Sequence, residues 1–188
     1  MQRNRPPGSR AGVARGFTLL ELMIALSIGA ILLGLAAPAF RGMWLDSRRT
    51  VAVNAFIHSI FLARTSAFTY HHTVSICRSA DGQTCSADLA NWQLGWIVFV
   101  NEDRDEPPVR DRNERILIVQ QALPGLSITS NRRGYSFKTY NRSVINGTLV
   151  FCDLRGSAHA RAIIINIAGR PRVARRDADN RPLRCPNG

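Results

Sequence analysis

Lysine is nearly missing from this chain. Of its 25 basic side chains only Lys138 is not arginine, and with 13 acids the formal charge is +12. A GC-rich genome would account for that ratio, so the distribution of the arginines matters more than their number. Other absences exclude whole function classes. The four cysteines show no C-x-x-C spacing, which argues against zinc. His58, His71, His72 and His159 make no H-x-x-x-H pair, and no glycine loop has the phosphate-cradling spacing of a nucleotide site. No serine, cysteine and aspartate form an evident triad. An enzymatic reading therefore has no residues to rest on, and no cofactor is implied. The oxygen-rich stretch Asn101–Glu106 is interrupted by Arg104, followed by Pro107-Pro108, and lacks a central glycine, so it reads as an exposed acidic turn rather than a calcium loop. There is no internal repeat, no low-complexity tract, and no aromatic residue after Gly169.

What is present begins with a long apolar run. From Phe17 to Phe40 the polar exceptions are Thr18, Glu21 and Ser27. As helix the run would reach roughly 36 Å, enough to cross a bilayer core of about 30 Å. Met1–Arg15 carries Arg3, Arg5, Arg10 and Arg15 and no acid, a bias that favours a cytoplasmic leader, although Arg41, Arg48 and Arg49 follow the run. An uncleaved anchor is one reading. A secretory signal cut at Ala37-Pro38-Ala39 is another, but its apolar region would normally be shorter and would not contain Glu21. Pro38 is expected to kink or locally melt a helix. Glu21 is costly in hydrocarbon unless it is neutralised or paired, which points to a partner supplied by assembly.

The stretch Gly16-Phe17-Thr18-Leu19-Leu20-Glu21 resembles the class III signal of type IV pilins and pseudopilins. The resemblance implies that a prepilin peptidase cuts after Gly16, that Phe17 becomes the N-methylated terminus, and that Glu21 guides assembly by pairing with such a terminal amine, its own or a neighbour's. A lone acid snorkelling to the near headgroups is the bland alternative for Glu21. Cleavage would leave 172 residues and a formal charge of +8.

The sequence divides into a leader (1–16), a transmembrane or filament-core helix (17–40), an amphipathic continuation (41–70), a β-rich head (71–168) and an arginine-rich tail (169–188). Val53, Phe56, Ile57, Ile60 and Phe61 form the apolar stripe of the amphipathic part. Strands are predicted at 73–78, 95–101, 115–121, 126–130, 135–140, 148–152, 162–168 and 172–174, with Asn131–Gly134 as a hairpin connection between the fourth and fifth. The fold class is α+β: a long N-terminal helix packed on a sandwich-like, all-β head. The cysteines lie beyond the apolar run, in an expected periplasm where disulfides persist. Of three connectivities, Cys77–Cys85, closing a short loop, and Cys152–Cys185, pinning the tail, are favoured.

Asn91–Phe99 (NWQLGWIVF), followed by Asn101–Asp105, resembles the GspH/FimT family of minor pseudopilins and pilins. Trp92 and Trp96 read equally as core. Beyond Gly169, four arginines fall within seven residues, Arg170 to Arg176, and Pro171 stiffens the chain between Arg170 and Arg172. In an extended chain these two share a face, at a spacing close to that of successive phosphates. Gly169-Arg170-x-Arg172 resembles the DNA-binding motif of FimT proteins, which act in DNA uptake. Arg175, Arg176, Arg181 and Arg184 join it by proximity and charge. The implied function is a minor type IV pilin that binds double-stranded DNA through the phosphate backbone, without sequence preference. Its other partners would be major and minor pilins, the prepilin peptidase and the inner membrane, which it would cross once before reaching the pilus at the cell surface. The alternative is a type II secretion pseudopilin of GspH type. A solvated, partly disordered tail is the bland reading of the last twenty residues.

Overall fold

The computed structural model describes residue 16 and residues 18–88, 90–138 and 145–186, without the side chains of 37–39. Residues 1–15 of the expected leader, Phe17 as the expected new terminus, the Pro38 side chain and the end of the strand expected at 135–140 lie outside that set.

One helix, α1 (Leu19–Tyr70), runs through both units into which the chain divides, Met1–Met43 and Trp44–Gly188. It starts at Thr18, whose Oγ1 accepts the Glu21 N–H at 3.2 Å, so Thr18-x-x-Glu21 forms half of a capping box. From Leu19 to Met43 no described side chain is buried, although most are apolar. α1 is long and apolar enough to cross a membrane. A helix with apolar residues on every side needs lipid or other helices around it.

In the second unit α1 buries one stripe: Ala52, Val53, Phe56, Ile60, Ala63 and Ala67. Phe61, expected in that stripe, faces solvent, and Ile57 sits at its edge. The alanines take its place because a helix lies close to a sheet only where side chains are short. Two four-stranded antiparallel sheets contribute to the same core. The first has the order β3 (Ile116–Gln120), β2 (Trp96–Asn101), β1 (Thr73–Arg78), β5 (Gly134–Phe137). The second has the order β4 (Ser127–Ser130), β6 (Gly147–Cys152), β7 (Arg161–Ile165), β8 (Pro171–Ala174). Phe56 makes edge contacts with Trp92, Trp96, Tyr135 and Phe151, so residues from both sheets meet one helical ring. Ser59 accepts the Trp96 indole N–H at 2.9 Å, which lets that tryptophan be fully buried.

Three sequence expectations change here. Asn131–Gly134 does not close a hairpin: β4 pairs with β6 and β5 pairs with β1, so the turn carries the chain from one sheet to the other. All four residues of β5 are buried, and at Gly134 an added Cβ would stand 2.3 Å from a Pro108 side-chain carbon. The strand expected to run to Ala168 stops at Ile165, because Asn166 starts a turn. The segment after Gly169, read as a tail beyond the head, is tied into it: Pro171–Ala174 is the edge strand of the second sheet, and Leu183 and Cys185 pack on that sheet.

The last change follows from β7. Its residues are apolar on both faces: Ile163 and Ile165 enter the main core, while Ala162 and Ile164 lie in a second cluster with Cys152, Ala160, Leu183 and Cys185. The outer face of the sheet therefore needs a cover, and the C-terminal segment provides it. Cys152 and Cys185 are bonded, as are Cys77 and Cys85.

Candidate functional site

Two turns of the same construction hold the arginine-rich face. In the first, between β7 and β8, Gly169 N–H donates to Asn166 O (2.9 Å) and Asn166 N–H to Arg170 O (3.3 Å). The Asn166 Oδ1 accepts the N–H groups of Ala168 (3.0 Å) and Arg170 (2.9 Å). Gly169 has φ +70°, the left-handed conformation glycine adopts without strain. The second turn repeats this with other residues. Asn180 N–H donates to Asp177 O (3.2 Å), and Asp177 N–H to Arg181 O (3.0 Å). The Asp177 Oδ1 accepts the N–H groups of Asp179 (2.9 Å) and Arg181 (2.8 Å), and Asn180 takes φ +63°. In each turn an Asn or Asp side chain holds the backbone closed, a left-handed residue follows, and an arginine comes next.

Arg170, Arg172, Arg175, Arg176, Arg181 and Arg184 are all exposed. Every carboxylate side chain of the sequence lies among the described residues, yet only Arg181 has one in reach, Asp179 at 3.6 Å. Arg176 donates to Asn180 O (3.0 Å) and so braces the second turn. Arg172 lies within β8 opposite Ile164, and Arg170 stands immediately before the strand. Burial first, then the cations of Arg49 and Arg175, pull Arg161 below the usual arginine value. Asn166 and Asp177 are the residues the sequence reading missed. Their signal was available: Asn-x-x-Gly after an apolar strand is an Asx-turn pattern.

A second group of arginines is tied to acids. Arg49 donates to Asp46 (2.6 Å) and Asp153 (3.0 Å), and Arg155 reaches the same two acids at 2.7 Å each. Hydrogen bonds from Arg155 hold both carboxyls below the usual range. In the acidic loop, Glu114 accepts the N–H groups of Glu102 and Asp111, and Asp105 that of Val109. Among the described residues no group of three His, Cys, Asp or Glu could hold a metal.

Gly16 and Glu21 are exposed at the start of the first unit. Glu21 lies in the first turn of α1, where its charge suits the helix dipole.

The family model described as type II transport protein GspH matches residues 52–169, and that of the prokaryotic N-terminal methylation motif matches residues 13–37. Two crystal structures of the type IV minor pilin FimU from Pseudomonas aeruginosa (strain PAO1) resemble this chain, each with a TM-score of 0.51. Their sequence identities are 16% and 17%; the matches cover 72% and 77% of this chain and 98% and 97% of theirs. Identity at that level speaks for the fold alone. No curated protein matches the sequence significantly. The GspH match ends at Gly169, so β8, the second turn and all six arginines lie beyond it.

Proposed function

The chain belongs to the GspH family of type II transport proteins, structural pilin-like subunits that catalyse no reaction, and from that premise we propose that it is a minor type IV pilin that binds extracellular DNA. In this reading prepilin peptidase cuts after Gly16 and Phe17 is methylated. The first half of α1 crosses the inner membrane once, with the head in the periplasm. Glu21 then pairs with a Phe17 amine when the subunit joins major and minor pilins in a pilus. The DNA contacts come from Gly169-Arg170-x-Arg172 with Arg175, Arg176, Arg181 and Arg184. Retraction of the filament draws the duplex inward for transformation, and several copies add avidity to individually weak phosphate contacts.

The observation that carries this reading is six exposed arginines on a folded strand-and-turn surface, only one of them opposed by an acid. A guanidinium with no carboxylate partner keeps its fork of donors free for phosphate. Binding of this kind is sequence-tolerant and falls steeply with salt. The test is a gel shift with the mature chain in non-ionic detergent at low salt. Arg170→Gln with Arg172→Gln is expected to abolish duplex retention at protein concentrations that shift the duplex with wild type, and to lower the log–log salt slope by about 2. Equal retention before and after removes the DNA assignment from these residues.

A second reading is a pseudopilin of a type II secretion system, favoured by the description of the matched family. Its partners would be other minor pseudopilins, and it predicts that the arginine-to-glutamine variant still supports assembly and protein export while duplex retention is nil even in wild type.

A further inference from the structure

Arg170 belongs to a second feature, a depression of about 360 Å³ that the sequence does not foreshadow. Arg64 and Phe68 reach it from α1, Lys138 from the end of β5, and Arg170 from the first turn; Ala67 and Phe137 form its floor. Arg64 and Phe68 are four residues apart, hence on the same helix face. Neither Arg64 nor Arg170 has a carboxylate in reach, and Lys138 has only Glu106 at 4.0 Å. The volume is in the range of small-ligand sites.

Three cations describe a phosphate seat. Phe68 adds something a phosphate does not explain, because 55% of it is exposed beside those charges. A ligand that satisfies both must carry an anionic group and a flat apolar face close together, which is the make-up of a nucleotide. In a duplex the base faces are stacked inside and an aromatic side chain at the phosphate rim finds no partner. In a single strand each base offers its π-face, and a cationic groove with an aromatic platform is how proteins hold such strands. The absence of aromatics after Gly169 had pointed to phosphate contacts alone. Folding changes that by bringing Phe68 beside Arg170.

We propose that this depression seats one unpaired nucleotide of a DNA strand, with its base on Phe68 and its phosphate among Arg64, Lys138 and Arg170. The inference rests on the DNA-binding reading above and gives the protein an added preference for single strands or frayed ends.

The experiment compares a labelled single-stranded 12-mer with a blunt duplex of the same sequence, by fluorescence anisotropy on the mature chain in non-ionic detergent at low salt. Phe68→Ala is expected to weaken single-strand binding about tenfold and duplex binding less than twofold. Phe68→Trp should restore or tighten the single-strand complex, and Arg64→Gln should weaken it. The proposal is overturned if Phe68→Ala changes neither complex, or changes both equally. It is also overturned if phosphatidylglycerol vesicles, and not the single strand, bind in a Phe68-dependent way. Loss of duplex binding in the Arg170/Arg172 variant alongside a silent Phe68→Ala would leave the DNA reading standing and remove only this seat. A silent Arg170/Arg172 variant would remove the reading itself.

Discussion

Arg49 and Arg155 stand among carboxylates, whereas Arg170, Arg172, Arg175 and Arg184 have none in reach. The residue type is the same and the physics is opposite. Arg49 is 4% exposed and meets an Asp153 side chain sealed from solvent, so its charge belongs to the architecture, tying α1 to the connection between β6 and β7. The exposed set contributes little to stability and leaves its donors facing water. In an arginine-rich chain, composition cannot separate these two groups. The presence of a carboxylate partner can.

The widest separation should appear in stability. Arg49→Met leaves the buried Asp153 with one cation fewer and is expected to cost roughly 3–5 kcal/mol in urea unfolding. Arg170→Gln with Arg172→Gln should stay within about 0.5 kcal/mol of wild type. Similar losses for the two would erase the distinction between the groups.

Next in size is the clamp beneath the exposed group. Cys152→Ser with Cys185→Ser opens a bridge spanning 33 residues of sequence separation and should cost about 3–4 kcal/mol. It also loosens the cover over Ile164, so limited proteolysis should cut first between Arg175 and Arg184. Resistance at those bonds would mean that the second turn holds itself in place.

A smaller effect separates the two turns. Gly169→Ala forces a side chain into the left-handed region and should cost about 1–2 kcal/mol, while Asn180→Gly should be neutral to within about 0.5 kcal/mol. Thermal unfolding of the two variants measures the contrast, and equal losses would break the equivalence of the turns.

The smallest expected effect is on pH. Asp46 and Asp153 have folded pKa values lowered from 3.8, so the stability they add is present above that value and is lost as pH falls through their folded values. Burial raises Asp105, Glu106 and Glu114 instead, so their contribution is greatest in acid and fades as pH climbs through their raised values. As pH falls the two sets oppose each other, because the raised acids gain while the lowered pair loses. The melting-temperature gap between wild type and Asp153→Asn should therefore narrow on acidification; a constant gap would show that the Asp153 charge is not what the arginines stabilise.

Much of the head was legible because its signals are local. The apolar stripe of α1, the Trp96–Asn101 strand and most strand positions can be read from periodicity within a few residues. The hairpin expected at Asn131–Gly134 misled because turn residues show that the chain reverses or bends, not which sheet receives it. The C-terminal segment looked like a tail because its arginines are conspicuous, while Leu183 and Cys185, which hold it down, are two residues among many polar ones. For the candidate site, the arginines were readable and their support at Asn166 was readable but missed. Phe68 and Arg64 were out of reach, since about a hundred residues separate them from Arg170.

Local chemistry written along the chain determined the apolar helix, the acid in its first turn, the cysteines and the concentration of arginine at the end. Those depend only on residue type and spacing. The tertiary structure decided which arginines are tied to carboxylates, which turn closes and which crosses between sheets, and that an aromatic from α1 stands beside Arg170. Such choices depend on contacts between distant segments, and those exist only once a shared core has drawn the segments together.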